Sequence, residues 1–204
     1  AVNTGLVPGA VNQAGFVPLF CPADAEGKYA YRMNLIVPAG SSVKDASELK
    51  GQSVAFAAMS SNSGGKAPLV LFKESFKMLP GRDYDFTITG DHKISIREVA
   101  NNKHAAAAVA SDLLDAAQSP GKTGTPQIPT GSVRVIYESK PFPPLCFGVP
   151  HNLDPKLRAK IEEAFKTFTF PDPTPSRAKF APVVYAKDWE YVREIDDKLT
   201  KLLD

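Results

Sequence analysis

Ala55-Phe56-Ala57-Ala58-Met59-Ser60-Ser61-Asn62-Ser63-Gly64-Gly65-Lys66-Ala67-Pro68 decides how this chain is read. Its apolar start belongs to a strand predicted over residues 53–58, and it empties into hydroxyls, one amide and two glycines. Beyond it, Leu69, Val70, Phe72, Phe76 and Leu79 form a broad apolar face that predicts a helix over residues 66–78. Pro68 must then fall in the first helical turn, because deeper in the helix it would cost about 3 kcal/mol. A strand–turn–helix of this kind gathers unpaired backbone N–H groups, the positive end of a helix dipole and short side-chain donors at one point. That combination suits a bound oxyanion, phosphate above all, without requiring a positive side chain.

Three other readings compete for residues 60–65. A Ser/Gly linker would do nothing, but linkers are rarely wedged between a strand and a helix a few residues apart. A nucleotide P-loop needs Gly five residues before Gly65 and Ser or Thr after Lys66, where Ser60 and Ala67 stand. A serine-hydrolase elbow would make Ser63 the nucleophile, yet Ser61 occupies the place of the elbow's first glycine. The anion turn is the best functional reading.

The chain of 204 residues is long enough for one sizeable domain or two small lobes. Hydrophobic residues at 43% and charged ones at 23% mark an ordinary globular composition. A formal net charge of +2 gives no argument for nucleic acid or an acidic membrane surface. No apolar run reaches the roughly 18 residues a membrane span needs, and residues 1–5 do not read as a signal peptide. Cys21 and Cys146 leave two states open, one disulfide or two buried thiols, and their apolar neighbours favour buried thiols.

Outward from the turn, strands and helices alternate. Residues 1–20 predict a loop, a short helix and a strand; 29–37 a strand; 41–51 a short capped helix ending at Gly51. After the turn come a strand at 84–89, a helix at 93–101 and the run 105–110, ambiguous by pattern but favoured as a buried short strand by its position, then an exposed loop at 119–131. Strands at 133–137 and 145–149 and amphipathic helices at 154–167 and 189–203 complete the chain. This alternation predicts an α/β fold with largely parallel sheets. Of three histidines, His92 sits in Thr89-Gly90-Asp91-His92-Lys93, a strand-to-helix junction of the kind that faces a cleft. Taken alone it reads more simply as a surface or capping histidine. His104 and His151 show no metal-ligand spacing, so no metal site is expected.

Several segments together resemble the phosphonate/phosphite-type substrate-binding proteins of bacterial ABC importers. They are Asn3-Thr4-Gly5 with Ala10-Val11-Asn12 and Gly15-Phe16-Val17-Pro18; Ser42-Val43-Lys44 with Glu48-Leu49-Lys50-Gly51 and Val54-Ala55-Phe56; and Ser61-Asn62-Ser63-Gly64 with Pro68. To these are added Gly90-Asp91-His92 with Val99-Ala100-Asn101, the run 134–139 with Pro141-Phe142-Pro143, and Lys187-Asp188-Trp189 with Arg193. Their shared order spreads the resemblance over nearly the whole chain.

The resemblance implies a type II periplasmic-binding fold: two α/β lobes joined by two hinge strands near residues 31–37 and 145–149, with a ligand cleft between them. Lobe one would comprise residues 1–37 and 141–204, and lobe two residues 38–140. Ser61, Asn62, Ser63 and Gly64 would hold phosphoryl oxygens with His92 beside them, and Thr4 and Gly5 would face the ligand from lobe one. Closure by hinge motion would sequester it.

Family members begin with a strand, helix and strand ahead of the segment that starts here, which implies an incomplete lobe one. An acid that could read a substrate amine is often found where this chain has His104. The implied protein is a non-catalytic, monomeric solute-binding component, periplasmic or otherwise extracytoplasmic. It captures phosphonate, phosphite or a phosphate-like oxyanion for an ABC permease, without cofactor, nucleic acid or membrane insertion. The rivals are a serine hydrolase using Ser63 with His92 or His151 and an Asp, and a same-fold binding protein for another anion such as a sulfonate.

Overall fold

The computed structural model describes residues 1–119, 127–174 and 177–203. The chain divides into two compact units, one of residues 1–31 and 141–194, the other of residues 32–140 and 195–204. Strand residues 32–37 and the end of the last helix, expected in lobe one, thus fall in the second unit. Most of the loop expected over 119–131 lies outside the described residues.

The first unit opens with a 3-10 turn at Thr4–Leu6 and helix α1 (Val7–Ala14), which stops at Gly15 in the left-handed region, φ 61°. Strand β1 (Phe16–Ala23) follows. It lies between two strands from the far end of the chain, β7 (Phe147–Pro150) and β8 (Lys179–Pro182), both antiparallel to it. Helix α5 (Pro155–Thr167) is capped by Asp154, whose carboxylate accepts the Leu157 N–H at 2.9 Å. Its Ile161 and Phe165 pack with Leu19, Phe20 and Val149 in this unit's core. Short α6 (Tyr185–Asp188) leads to α7 (Glu190–Leu203), and between them the fully buried Trp189 donates its indole N–H to the Thr4 carbonyl at 3.2 Å.

The second unit is a five-stranded sheet in the order β4-β3-β5-β2-β6. Its strands are β2 (Met33–Pro38), β3 (Ser53–Phe56), β4 (Asp85–Ile88), β5 (Ala106–Ala110) and β6 (Val133–Glu138). Helices α2 (Ala67–Phe76), α3 (His92–Ala100) and α4 (Ser111–Gln118) follow β3, β4 and β5 in turn. The pairings give β3 to β6 one common direction; β2 alone runs against them, wedged between β5 and β6. Strands that share a direction need helical crossovers, and the sequence shows these as its helix–strand alternation.

The expectation of largely parallel sheets therefore needs correcting. It fits β3–β6, but β2 makes this sheet mixed and the first unit's sheet is antiparallel throughout. The direction of β2, β7 and β8 is set by pairings across a hundred residues or so, and periodicity does not encode it. The helix expected over 41–51 is only a 3-10 turn, Ala46–Leu49, capped by Asp45 accepting the Ser47 N–H at 2.9 Å. Strand β8, α4 and α6 were not anticipated.

The alanines of β5 are buried to the last, with Ala107 and Val109 against Ile36, Ala55, Ile96, Val99 and Leu114. Small side chains let α3 and α4 approach the sheet closely. A run that would favour a helix in isolation is thereby held as a central strand.

Candidate functional site

The parallel strands β4, β3 and β5 are neighbours, so their C-terminal ends lie side by side; β3 and β4 pass through a short turn into a helix, and β5 passes straight into α4. In α/β sheets this is the edge at which ligands bind. After β3 the chain makes one π-helical turn, Asn62–Lys66, that runs directly into α2. Pro68 falls in the first turn of α2, where its missing N–H matters least.

Two glycines let the turn lie flat on the exit of β3. The Gly64 carbonyl accepts the N–H groups of Ala57 at 2.8 Å and Ala58 at 3.3 Å. A Cβ on Gly64 would come within 2.6 Å of the His92 ring and 2.7 Å of the Ala57 methyl, and one on Gly65 would collide with the Ala58 backbone. The neighbouring junction is stitched to the same exit: Thr89 N–H donates to the Phe56 carbonyl and Gly90 N–H to the Ala57 carbonyl, each at 2.8 Å. Asp91 then caps α3 by accepting the Lys93 N–H at 2.6 Å, which fixes His92 as the first helical residue.

Ser61 and His92, 31 residues apart, meet here: Ser61 Oγ lies 3.0 Å from His92 Nε2. The other ring nitrogen, Nδ1, accepts the N–H of Ala110 from the end of β5 at 3.3 Å. Burial pushes the pKa of His92 below its ordinary value, against a smaller upward pull from Asp91, so the ring is neutral at pH 7. With Nδ1 accepting, the neutral ring carries its proton on Nε2 and donates it to Ser61. Ser61 Oγ also accepts the Gly64 N–H at 3.0 Å. Both lone pairs of the hydroxyl are then engaged, and its own O–H is left to donate to a third party.

Asn62 and Ser63 are almost wholly inside, at 2% and 1% exposure. Among the described residues the Asn62 amide has no hydrogen-bond partner at either Oδ1 or Nδ2. Leaving buried polar atoms unmatched costs about 1–3 kcal/mol each, and such atoms are rare in folded proteins. The backbone N–H groups of Asn62 and Ser63 also find no acceptor among the described residues. Lys66, the nearest cation in sequence, is engaged by Asp196 of α7 at 2.8 Å.

Sequence reasoning therefore gathered Ser61, Asn62, Ser63, Gly64 and His92, and the second unit holds all five. Thr4 and Gly5 belong to the first unit. There the Thr4 hydroxyl donates to the Pro143 carbonyl at 2.8 Å. Two features escaped the sequence. The Ala110 N–H that sets the tautomer of His92 is a backbone group and carries no residue signature. Asp112, in the first turn of α4 two residues beyond Ala110, has an exposed side chain whose pKa is nonetheless raised, chiefly by the desolvating atoms around it; a lone acid after a strand gives no such warning.

No hydrogen bond among the described residues joins Ser63 to a histidine, and His151 lies in the first unit, its N–H on the Gly15 carbonyl. Among the described residues no three His, Cys, Asp or Glu side chains cluster as a metal site, and no helix is long and apolar enough to cross a membrane.

Residues 2–196 match the family model described as ABC transporter, phosphonate, periplasmic substrate-binding protein. Three solved structures share the fold. A Xanthomonas citri protein solved with chloride ion superposes with a TM-score of 0.74 at 16% identity, covering 100% of this chain and 77% of that one. A Prochlorococcus marinus protein in complex with methylphosphonate gives 0.72 at 14% identity over 97% of this chain and 76% of its own. The binding-protein component of an ABC phosphonate transporter from Pseudomonas aeruginosa gives 0.69 at 14% identity, covering 98% and 77%. The fold is that of the type II periplasmic binding proteins, and the chain belongs to the phosphonate substrate-binding proteins of ABC transporters.

Proposed function

We propose that the turn Asn62–Lys66, with Ser61 ahead of it and His92 beside it, is where this protein holds the oxyanion of a phosphonate, phosphite or phosphate-like solute. The observation that carries the reading is the hydroxyl of Ser61. Two donors fix its oxygen, and its proton is left for an acceptor that the described residues do not supply. The N-terminus of α2 adds a positive field and free backbone N–H groups, and hydrogen bonds to a charged ligand contribute about 1.5–3 kcal/mol each.

Asn62 separates phosphorus from sulfur. A sulfonate offers only acceptors, whereas a singly protonated phosphonate or phosphite also carries an O–H that can meet the unpartnered Oδ1 while its other oxygens meet Nδ2.

The protein performs no chemistry on its guest. A serine nucleophile needs a histidine that accepts its proton, and the Nε2 of His92 already bears one. It acts as an extracytoplasmic monomer and hands the solute to an ABC permease.

Calorimetric titration with phosphite, methylphosphonate, phosphate and methanesulfonate tests the reading. Heat is expected from one or more of the phosphorus oxyanions and none from the sulfonate; silence with all three phosphorus compounds would sink it.

A further inference from the structure

We propose that Cys21 and Cys146 form an intramolecular disulfide in the working protein, tying β1 to the segment that enters β7. Both are free, fully buried thiols in the structure. Strands β1 and β7 are antiparallel with Phe20 opposite Phe147, and one more step in that register sets Cys21 opposite Cys146.

The backbone shows what kind of pair this is. Cys146 exchanges both of its backbone hydrogen bonds with Val2, at 2.8 Å each, so its polar groups turn away from β1. On β1 the Leu19 carbonyl accepts from Val183 and the Ala23 carbonyl from Ala178. Leu19, Cys21 and Ala23 therefore turn their backbone groups the other way, toward β8. Cys21 and Cys146 face each other as a non-hydrogen-bonded pair, in which Cα atoms lie about 4.5 Å apart and side chains crowd on one face. Disulfides bridge Cα separations of roughly 4.4–6.8 Å, so the link asks for no movement of the strands. Each thiol donates to a backbone carbonyl, Cys21 to Pro144 at 3.8 Å and Cys146 to Phe147 at 3.3 Å, and the influence of each sulfur on the other pulls the pKa of Cys146 down and pushes that of Cys21 up.

The proposal rests on the extracytoplasmic reading for its oxidant, an external disulfide such as that of a thiol–disulfide oxidoreductase or oxidised glutathione. The Cys146 thiolate attacks that disulfide, forming a mixed disulfide and releasing one thiol. The Cys21 thiolate then attacks the Cys146 sulfur and expels the second. One external disulfide and two protein thiols become two external thiols and one protein disulfide; the external disulfide takes up two electrons, and the two protons end on the released thiols. Because neither sulfur reaches solvent in the folded chain, the exchange precedes the closing of β1 on β7.

The test is to refold the reduced chain in a glutathione redox buffer, alkylate under denaturing conditions and measure the intact mass. The expected product carries no alkyl group and is lighter than the reduced chain by two hydrogens, with peptides containing Cys21 and Cys146 linked on digestion. Two alkylated cysteines in the refolded chain overturn the proposal. As a check that spares folding, reductant should lower the thermal midpoint of the wild type but not of a Cys21→Ala/Cys146→Ala variant; equal midpoints with and without reductant in the wild type would also overturn it. A phosphite titration on the same preparation reports on the binding reading separately.

Discussion

Two serine–histidine contacts stand at opposite ends of β3, and they are built for different ends. At the start of the strand, Ser53 Oγ lies 3.0 Å from His104 Nδ1, and the far nitrogen of that ring meets Glu98 at 3.1 Å. Beyond the end of the strand, Ser61 Oγ lies at the same 3.0 Å from His92 Nε2. In the first pair the serine faces one ring nitrogen and a carboxylate the other, so both nitrogens are answered within the fold. In the second the ring donates to the serine, and the serine proton is left over. The same two residue types make a strut where their hydrogen bonding closes and a candidate receptor where it stays open.

Truncating each serine breaks the comparison most sharply. Ser61→Ala removes a donor aimed at the ligand and should weaken phosphite or methylphosphonate binding by about 2 kcal/mol, roughly 30-fold, in a calorimetric titration. Ser53→Ala should leave affinity within about twofold and instead lower the stability measured by denaturant melts by about 1 kcal/mol. Equal loss of affinity in both variants would show the distinction to be wrong.

The next effect divides stability from binding at one residue. An amide buried without partners destabilises the unliganded protein, so Asn62→Ala should raise its stability by about 1 kcal/mol or leave it unchanged. Affinity for the phosphorus oxyanion should fall at the same time. That opposition, improved folding with impaired function, is expected of groups held ready for a ligand. A variant that loses stability and keeps its affinity would place Asn62 with Ser53 among the struts.

The two histidine pairs also separate along the pH axis. Burial holds His92 below its ordinary value of 6.5, so between that value and its folded one the unfolded chain binds a proton that the folded chain refuses. Stability is therefore lost as pH falls below about 6.5, and His92→Gln should flatten that part of a plot of thermal midpoint against pH. At the other pair, Glu98 is held below its ordinary 4.5, first by Lys103 and then by His104. Its contribution is present above 4.5 and disappears only as pH drops through the lower folded value. Glu98→Gln should change the acid limb alone.

Why one pair was legible in the sequence and the other was not follows from the same contrast. The receptor end is written locally: a strand, hydroxyls, Gly64 and Gly65, then a proline-led helix, all within fourteen residues. Gly65 is demanded by backbone packed against backbone, and Gly64 by the His92 ring and Ala57 methyl that leave no room for a Cβ. His92 stands at a strand-to-helix junction but by itself reads as a surface or capping histidine; the family resemblance assigns it to the site, and its proton position depends on Ala110, whose side chain says nothing of it. The strut joins Ser53 to His104 across 51 residues, and each flanking stretch reads only as an apolar strand with nothing to tie it to the other. The order β4-β3-β5 was likewise beyond reach, because local alternation gives elements but not neighbours.

The smallest expected effect bears on how the receptor end attracts its anion. Lys66 sits where a phosphate-binding lysine would be looked for, but its ammonium group meets the Asp196 carboxylate at 2.8 Å, and both side chains are mostly shielded from solvent. A cation already neutralised at that distance adds little field farther away, whereas the N-terminal dipole of α2 and the N–H groups of Asn62 and Ser63 point without compensation. Lys66→Gln should therefore alter affinity by less than about threefold while lowering stability, because Asp196 is left half-buried without its partner. A loss of tenfold or more would mean that the ammonium charge, not the backbone turn, is what recognises the oxyanion.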